Sequence, residues 1–289
     1  MKKVQLNNGI IELPEDWMEL TEAQRVAGFE NLALVLAKLM TPFEWQCRML
    51  LVITGYKPSR TQFSQDERDR INENLVRLAE MLNFAFTIEE DENGKGVLHI
   101  NYEMHDCPVH IFGDTGVQPN FVRDRIIDTN LTAGIYSDAY ELLQMVNDKD
   151  NSPEDTHYYM LKLAQTLWRV DSQSTAAPEP CAGELLAVTV WFTGIVLFFQ
   201  EHAVYGVLYE GGDQEKKAED HISLGVQDAI LELTMAGHPD ARSMPLTEFF
   251  DMQVKMLKDR ILEAKAEGTS VSDIAKKSKM PLATILRLI

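Results

Sequence analysis

The densest set of possible metal ligands in the chain lies in HINYEMHDCPVHIF, which brings His99, His105, Cys107 and His110 within twelve residues. Imidazole and thiolate are the donors that zinc prefers, and three or four of them can close a tetrahedron. The spacing speaks against that chemistry. On a strand His105 and Cys107 point to the same side, while His110 sits beyond Pro108. No C-x-x-C pair supports them, and the H-x-E with a later P-C-x-x-C of zinc deaminases is missing. The four are therefore read as residues of a hairpin edge, with no metal and no cofactor assigned. Phosphate cradles, dinucleotide fingerprints, nucleophile elbows and H-E-x-x-H zinc motifs are all absent from the sequence. Glu201-His202 is half of the last, and His157, His221 and His238 stand alone. No catalytic residue is assigned, and the expectation is a protein that is not an enzyme.

A second chemistry is suggested by the last residues, EGTSVSDIAKKSKMPLATILRLI. From Lys255 to Ile289 eight basic side chains face four acidic ones, a net of +4. The total is −18, so the preceding residues carry −22. Lys276, Lys277, Lys279 and Arg287 are candidate phosphate contacts, which position a protein on DNA without reading its sequence. Thr269 or Ser270 can cap a first short helix, with Asp273 at the capping-box position of Ser270. Ala275 is small, as a close helix crossing requires, and a turn at Ser278-Lys279-Met280 leads to Pro281 and a second helix from Leu282 to Ile289. This run resembles the helix-turn-helix of resolvases and related regulators, which implies that the second helix lies in a major groove. The departures are specific. Lys279 replaces the turn glycine and Pro281 the capping serine. Leu282 and Ala283 stand where polar base-reading groups belong, and neither can make the bidentate hydrogen bonds of direct readout. The expectation is a helix-turn-helix in shape that is not a sequence reader, with nucleic acid reached through this tail only.

The totals set the frame for both. In 289 residues, 45% hydrophobic, there is enough apolar material for a proper core. With 45 acidic against 27 basic residues the chain is no general nucleic-acid binder. Cys47, Cys107 and Cys181 lie far apart, a reduced-thiol pattern that points to the cytoplasm. The opening MKKVQLNNGIIELPEDW has two lysines but no apolar run of leader length behind them. The most apolar stretch, AGELLAVTVWFTGIVLFFQEH, is uninterrupted only from Leu185 to Phe199, shorter than the roughly 20 residues of a membrane span. It reads as a buried central helix, and no membrane is expected.

The elements that must position these groups are mostly helical. Thr21 with Gln24 forms a T-x-x-Q capping box. Thr41 caps and Pro42 begins a second helix, which Gly55 and Pro58 end. SQDERDRINENLVRLAEMLNF patterns as a third helix. FAFTIEEDENGKGVLHINYEM changes period and reads as a β-hairpin. Helical patterning resumes at SDAYELLQMVND, with Ser137 as its cap, and at Ser152-Pro153-Glu154. DSQSTAAPEP is a linker. Trp17, Trp45, Trp168 and Trp191 sit in apolar helical patterning and are assigned to cores.

The organisation expected is thus a helical region over 1–83, a β-hairpin and irregular insertion over 84–120, and a helical region over 121–171. A linker over 172–181, a helical region over 182–254 and the basic helix-turn-helix-like tail over 255–289 follow. The fold class is mainly α: a multi-helical bundle with a small β-hairpin insertion and a C-terminal helix-turn-helix-like pair.

LPEDWMELTEAQ, LMTPFEWQCRMLLVITGYKP, DTNLTAGIYSDAYELLQMV, YYMLKLAQTLWRV, AVTVWFTGIVLFFQEH and MPLTEFFDMQVKML occur in one order along the chain. That order is similar to proteins encoded beside the structural genes of tailed prophages. The resemblance implies a helical, non-enzymatic protein of tail or virion assembly, of the tail-assembly-chaperone-like kind, whose partner is another protein such as a phage structural protein. It carries over no functional residue.

Overall fold

The computed structural model describes residues 1–6, 9–55, 64–90, 96–104, 106–123, 126–170, 179–209, 222–278 and 280–289. The fold is mainly helical, with three two-stranded antiparallel sheets among the described residues. The chain divides into two compact units, residues 1–116 with 175–191 and residues 117–174 with 192–289.

The first unit begins with a hairpin, β1 (Lys2–Leu6) against β2 (Gly9–Leu13), with Lys3 opposite Glu12 and paired to it at 3.4 Å. Three helices follow: α1 (Glu22–Leu36), α2 (Pro42–Thr54) and α3 (Gln65–Glu80). Each opens on a reciprocal capping box, Thr21 with Gln24, Thr41 with Glu44 and Ser64 with Glu67. These boxes satisfy backbone N–H groups that no helical partner can reach. At the other end of α2, Gly55 takes φ 61°, the left-handed conformation that stops a helix and that glycine adopts without Cβ strain. The core of this unit is aromatic. Trp17 stacks on Phe29 at 4.2 Å and meets Trp45 and Phe84 edge-on at 5.8 and 5.2 Å. The Trp45 indole N–H donates to the Gly28 carbonyl at 2.9 Å. A Cβ on Gly28 would lie 2.8 Å from the Trp17 ring, so only glycine lets the helix come this close. β3 (Phe86–Glu90) pairs with β4 (Gly96–Ile100) as the sequence predicts, and Phe86 packs edge-on against Trp45 at 5.2 Å.

The second unit carries the short ladder β5 (Phe121–Val122) with β6 (Asp128–Thr129), then α4 (Ala133–Val146) and α5 (Pro153–Trp168). α5 opens on a Ser152–Asp155 capping box with Pro153 in its first turn. α4 begins five residues earlier than its sequence pattern suggests: Thr132 is the cap, accepting from the Ile135 N–H, and Ser137 is buried inside the helix. Gly134 hides that start, since it reads as a helix breaker. Its lack of a side chain admits the Arg242 backbone, whose carbonyl oxygen would lie 2.9 Å from a Cβ there. Further along run α6 (Ala182–Glu201), α7 (Ile222–Met235), α8 (Leu246–Ala266), α9 (Val271–Ser278) and α10 (Leu282–Leu288).

α6 passes from the first unit to the second between Trp191 and Phe192. Among the described residues it alone is long and apolar enough to cross a membrane, and 67% of its most apolar 18-residue window is buried within the protein. It is a core helix. In the second unit Phe199 stacks on Phe250 at 4.3 Å, and Tyr136 packs edge-on against Phe192, Phe199 and Phe250. The phenol oxygens of Tyr136 and Tyr209 meet at 3.3 Å, and the Tyr205 hydroxyl donates to Asp251 Oδ1 at 2.9 Å. Burial pushes all three phenols above their ordinary pKa. All four tryptophans are enclosed.

Candidate functional site

Of the ligand-like residues that the structure describes, Cys107 is enclosed while His99 and His110 are exposed. His99 is on β4, opposite Thr87, and its side chain is exposed. Cys107 is buried, its thiol 3.5 Å from the Val109 carbonyl, and burial pushes its pKa up to about 12. A thiol held protonated in this way is a poor metal ligand and nucleophile. His110 faces outward, with its backbone N–H donating to Glu22 Oε1 at 2.6 Å and its ring Nδ1 3.6 Å from the same carboxylate. His105 lies outside the described residues. Among the described residues no group of three or more His, Cys, Asp or Glu is placed to hold a metal ion.

The residue that anchors this segment carried no sequence signal. Arg25 on α1 is buried, and it donates from Nε to the Pro108 carbonyl at 2.5 Å and from Nη1 to the Leu20 carbonyl at 2.6 Å. A guanidinium spent on two main-chain carbonyls ties the irregular stretch to the helices and is not offered to a ligand.

The C-terminal helices are organised differently. Ser270 provides the cap of α9: its Oγ accepts from the Asp273 N–H at 3.1 Å and donates to Asp273 Oδ2 at 2.6 Å. Ile274, Ala275, Met280, Ile285 and Leu288 are buried together with Ile261 of α8 and with Val207. α8, α9 and α10 thus share one core, the small Ala275 lying within it. Thr284 is buried as well.

The outer faces carry the chemistry. Lys276 and Lys277 are exposed on α9 and Arg287 on α10, whereas Lys279 lies outside the described residues. From Lys276 to Ile289 the sequence has four basic side chains and no acidic one. On α10 itself, Leu282 is 48% and Leu286 57% exposed, one helical turn apart on the same face, and Ile289 stands beside them at 37%. Spacing of i, i+4 in leucine reads as core, and for that reason the sequence pattern conceals this outward stripe. The helix that a major groove would have to receive presents leucine and alanine to solvent. Such side chains make no hydrogen bond to a base edge.

Protein-family models, curated proteins and solved structures offer no match to this chain.

Proposed function

We propose that this chain is a non-enzymatic assembly protein of tailed-prophage type, whose acidic helical body binds another protein, a tail or virion structural protein being the class of partner. The observation that carries the reading is the outer face of α10, where Leu282 and Leu286 stand in water on the helix a DNA reader would need. Apolar side chains held at a surface gain by burial against another protein and gain little from a charged, hydrated groove. The charge of −18 favours the same direction, since most of the surface repels phosphate. Free thiols on all three cysteines suit the cytoplasm, where assembly takes place.

The competing reading is a DNA-binding accessory protein that uses Lys276, Lys277, Lys279 and Arg287. The experiment separates the two. The tagged chain is produced together with the structural genes of a tailed phage, and the recovered complex is rebuilt from purified components. One structural protein at fixed stoichiometry, re-forming the complex on mixing, supports assembly. Recovery of duplex DNA in its place, with binding lost in Lys276→Glu/Lys277→Glu, sinks it.

A further inference from the structure

The second unit exposes two surfaces of opposite character. One is the tail, with Leu282 and Leu286 beside Lys276, Lys277 and Arg287. The other is the corner between α4 and α5. There Asp148, Asp150, Glu154 and Asp155 are all exposed, against Lys149 alone in the same run. Two large apolar side chains flank those carboxylates, Met145 at 48% and Tyr158 at 53% exposed. The Lys162 ammonium sits 5.5 Å from the Tyr158 ring centroid, so this ring already accepts a cation. Both surfaces are open in the same chain, so neither covers the other. Two tails cannot face each other well, since the basic groups would be set against basic groups.

We infer that the tail of one copy of this chain docks on the α4–α5 corner of a second copy, leucines against Met145 and Tyr158, and Lys276, Lys277 and Arg287 against the four carboxylates. Opposite potentials facing across a contact set its orientation and speed its formation, and an apolar centre with a charged rim is the usual anatomy of such a contact. The inference rests on the reading of the outer face of α10 as a protein contact. It goes further by naming the occupant.

Sedimentation equilibrium of the full chain at low and physiological salt tests it. The expected result is reversible self-association that weakens as salt rises. Leu286→Glu weakens it by about tenfold or more, in line with losing one buried leucine. Asp150→Lys/Glu154→Lys and Lys276→Glu/Lys277→Glu each weaken it when introduced alone, and mixing the two double variants restores association between them. Asp150 and Glu154 are chosen because Asp148 and Asp155 hold the loop and the α5 cap, accepting from the Asp150 and Ser152 N–H groups. Circular dichroism of each variant confirms the fold. A monomer at all concentrations overturns the docking and leaves the assembly reading standing, whereas a monomer that binds duplex DNA through Lys276 and Lys277 overturns both. Association indifferent to the tail and corner substitutions also overturns it.

Discussion

Around Trp17 the aromatic side chains are used up: Trp17, Phe29, Trp45 and Phe84 pack on one another and are all buried. α10 is short and amphipathic in a different sense. Ile285 and Leu288 point into a core, while Leu282 and Leu286 point out of it. Both regions are rich in large apolar residues at helical spacing, and only three-dimensional packing separates structural from surplus hydrophobicity. The surplus is where function is to be sought. Cys107 belongs on the structural side, because its thiol is buried, and His99 and His110 are exposed without forming a ligand group of three among the described residues.

The contrast is broken or sharpened by substitution. The largest effect is expected at Trp45→Ala, which opens a cavity in the aromatic core and strands the Gly28 carbonyl, at a cost of about 4 kcal/mol in urea unfolding. Arg25→Met comes next. Two buried carbonyls lose a charged donor, and about 3 kcal/mol of stability goes with it. A loss under about 1 kcal/mol at Arg25 would mean that the 106–112 segment is held by something else. Ser270→Ala removes the α9 cap and costs roughly 1 kcal/mol, seen as faster amide exchange in α9 and α10. Leu286→Ser is expected to change unfolding by no more than about 0.5 kcal/mol. A core-sized loss there would erase the distinction between the two regions.

Cys107 gives the pH-dependent form of the comparison. Its pKa is raised from 9.0 to about 12 by burial, so the folded protein keeps a proton that an unfolded thiol releases. Stability is therefore whole below pH 9 and declines as pH rises towards about 12. At pH 8 a thiol reagent should reach the exposed Cys181 first and Cys107 only on unfolding, as followed by the time course of absorbance. Rapid modification of Cys107 in the native protein would contradict its enclosure.

Much of this fold is written in local signals. Thr21 with Gln24, Thr41 with Pro42 and Gly55, and Ser152 with Pro153 each mark a helix end through hydrogen bonds made within a few residues. The pairing of Phe86–Glu90 with Gly96–Ile100 follows from a change of period. The N-terminal hairpin is missing from the sequence reading although Val4, Leu6, Ile10 and Ile11 flank an Asn-Asn-Gly, because the proline and capping box just beyond it draw the whole stretch into a helical region. Arg25 is beyond sequence reasoning for another reason: its acceptor Pro108 lies 83 residues away. The outward stripe of α10 is legible only once Ile261 and Val207 are seen to occupy the other side.

The claim that the outer face of α10 is not a DNA-reading surface is tested most directly by fluorescence anisotropy. Labelled duplex DNA is titrated with the full chain and with Lys276→Glu/Lys277→Glu across a salt series. The expected result is no saturable binding at physiological salt, and at low salt only weak, sequence-independent association that falls steeply as salt is added. Binding at micromolar affinity or tighter in physiological salt, abolished by the double charge reversal, would contradict it and make α10 a DNA-contacting helix after all.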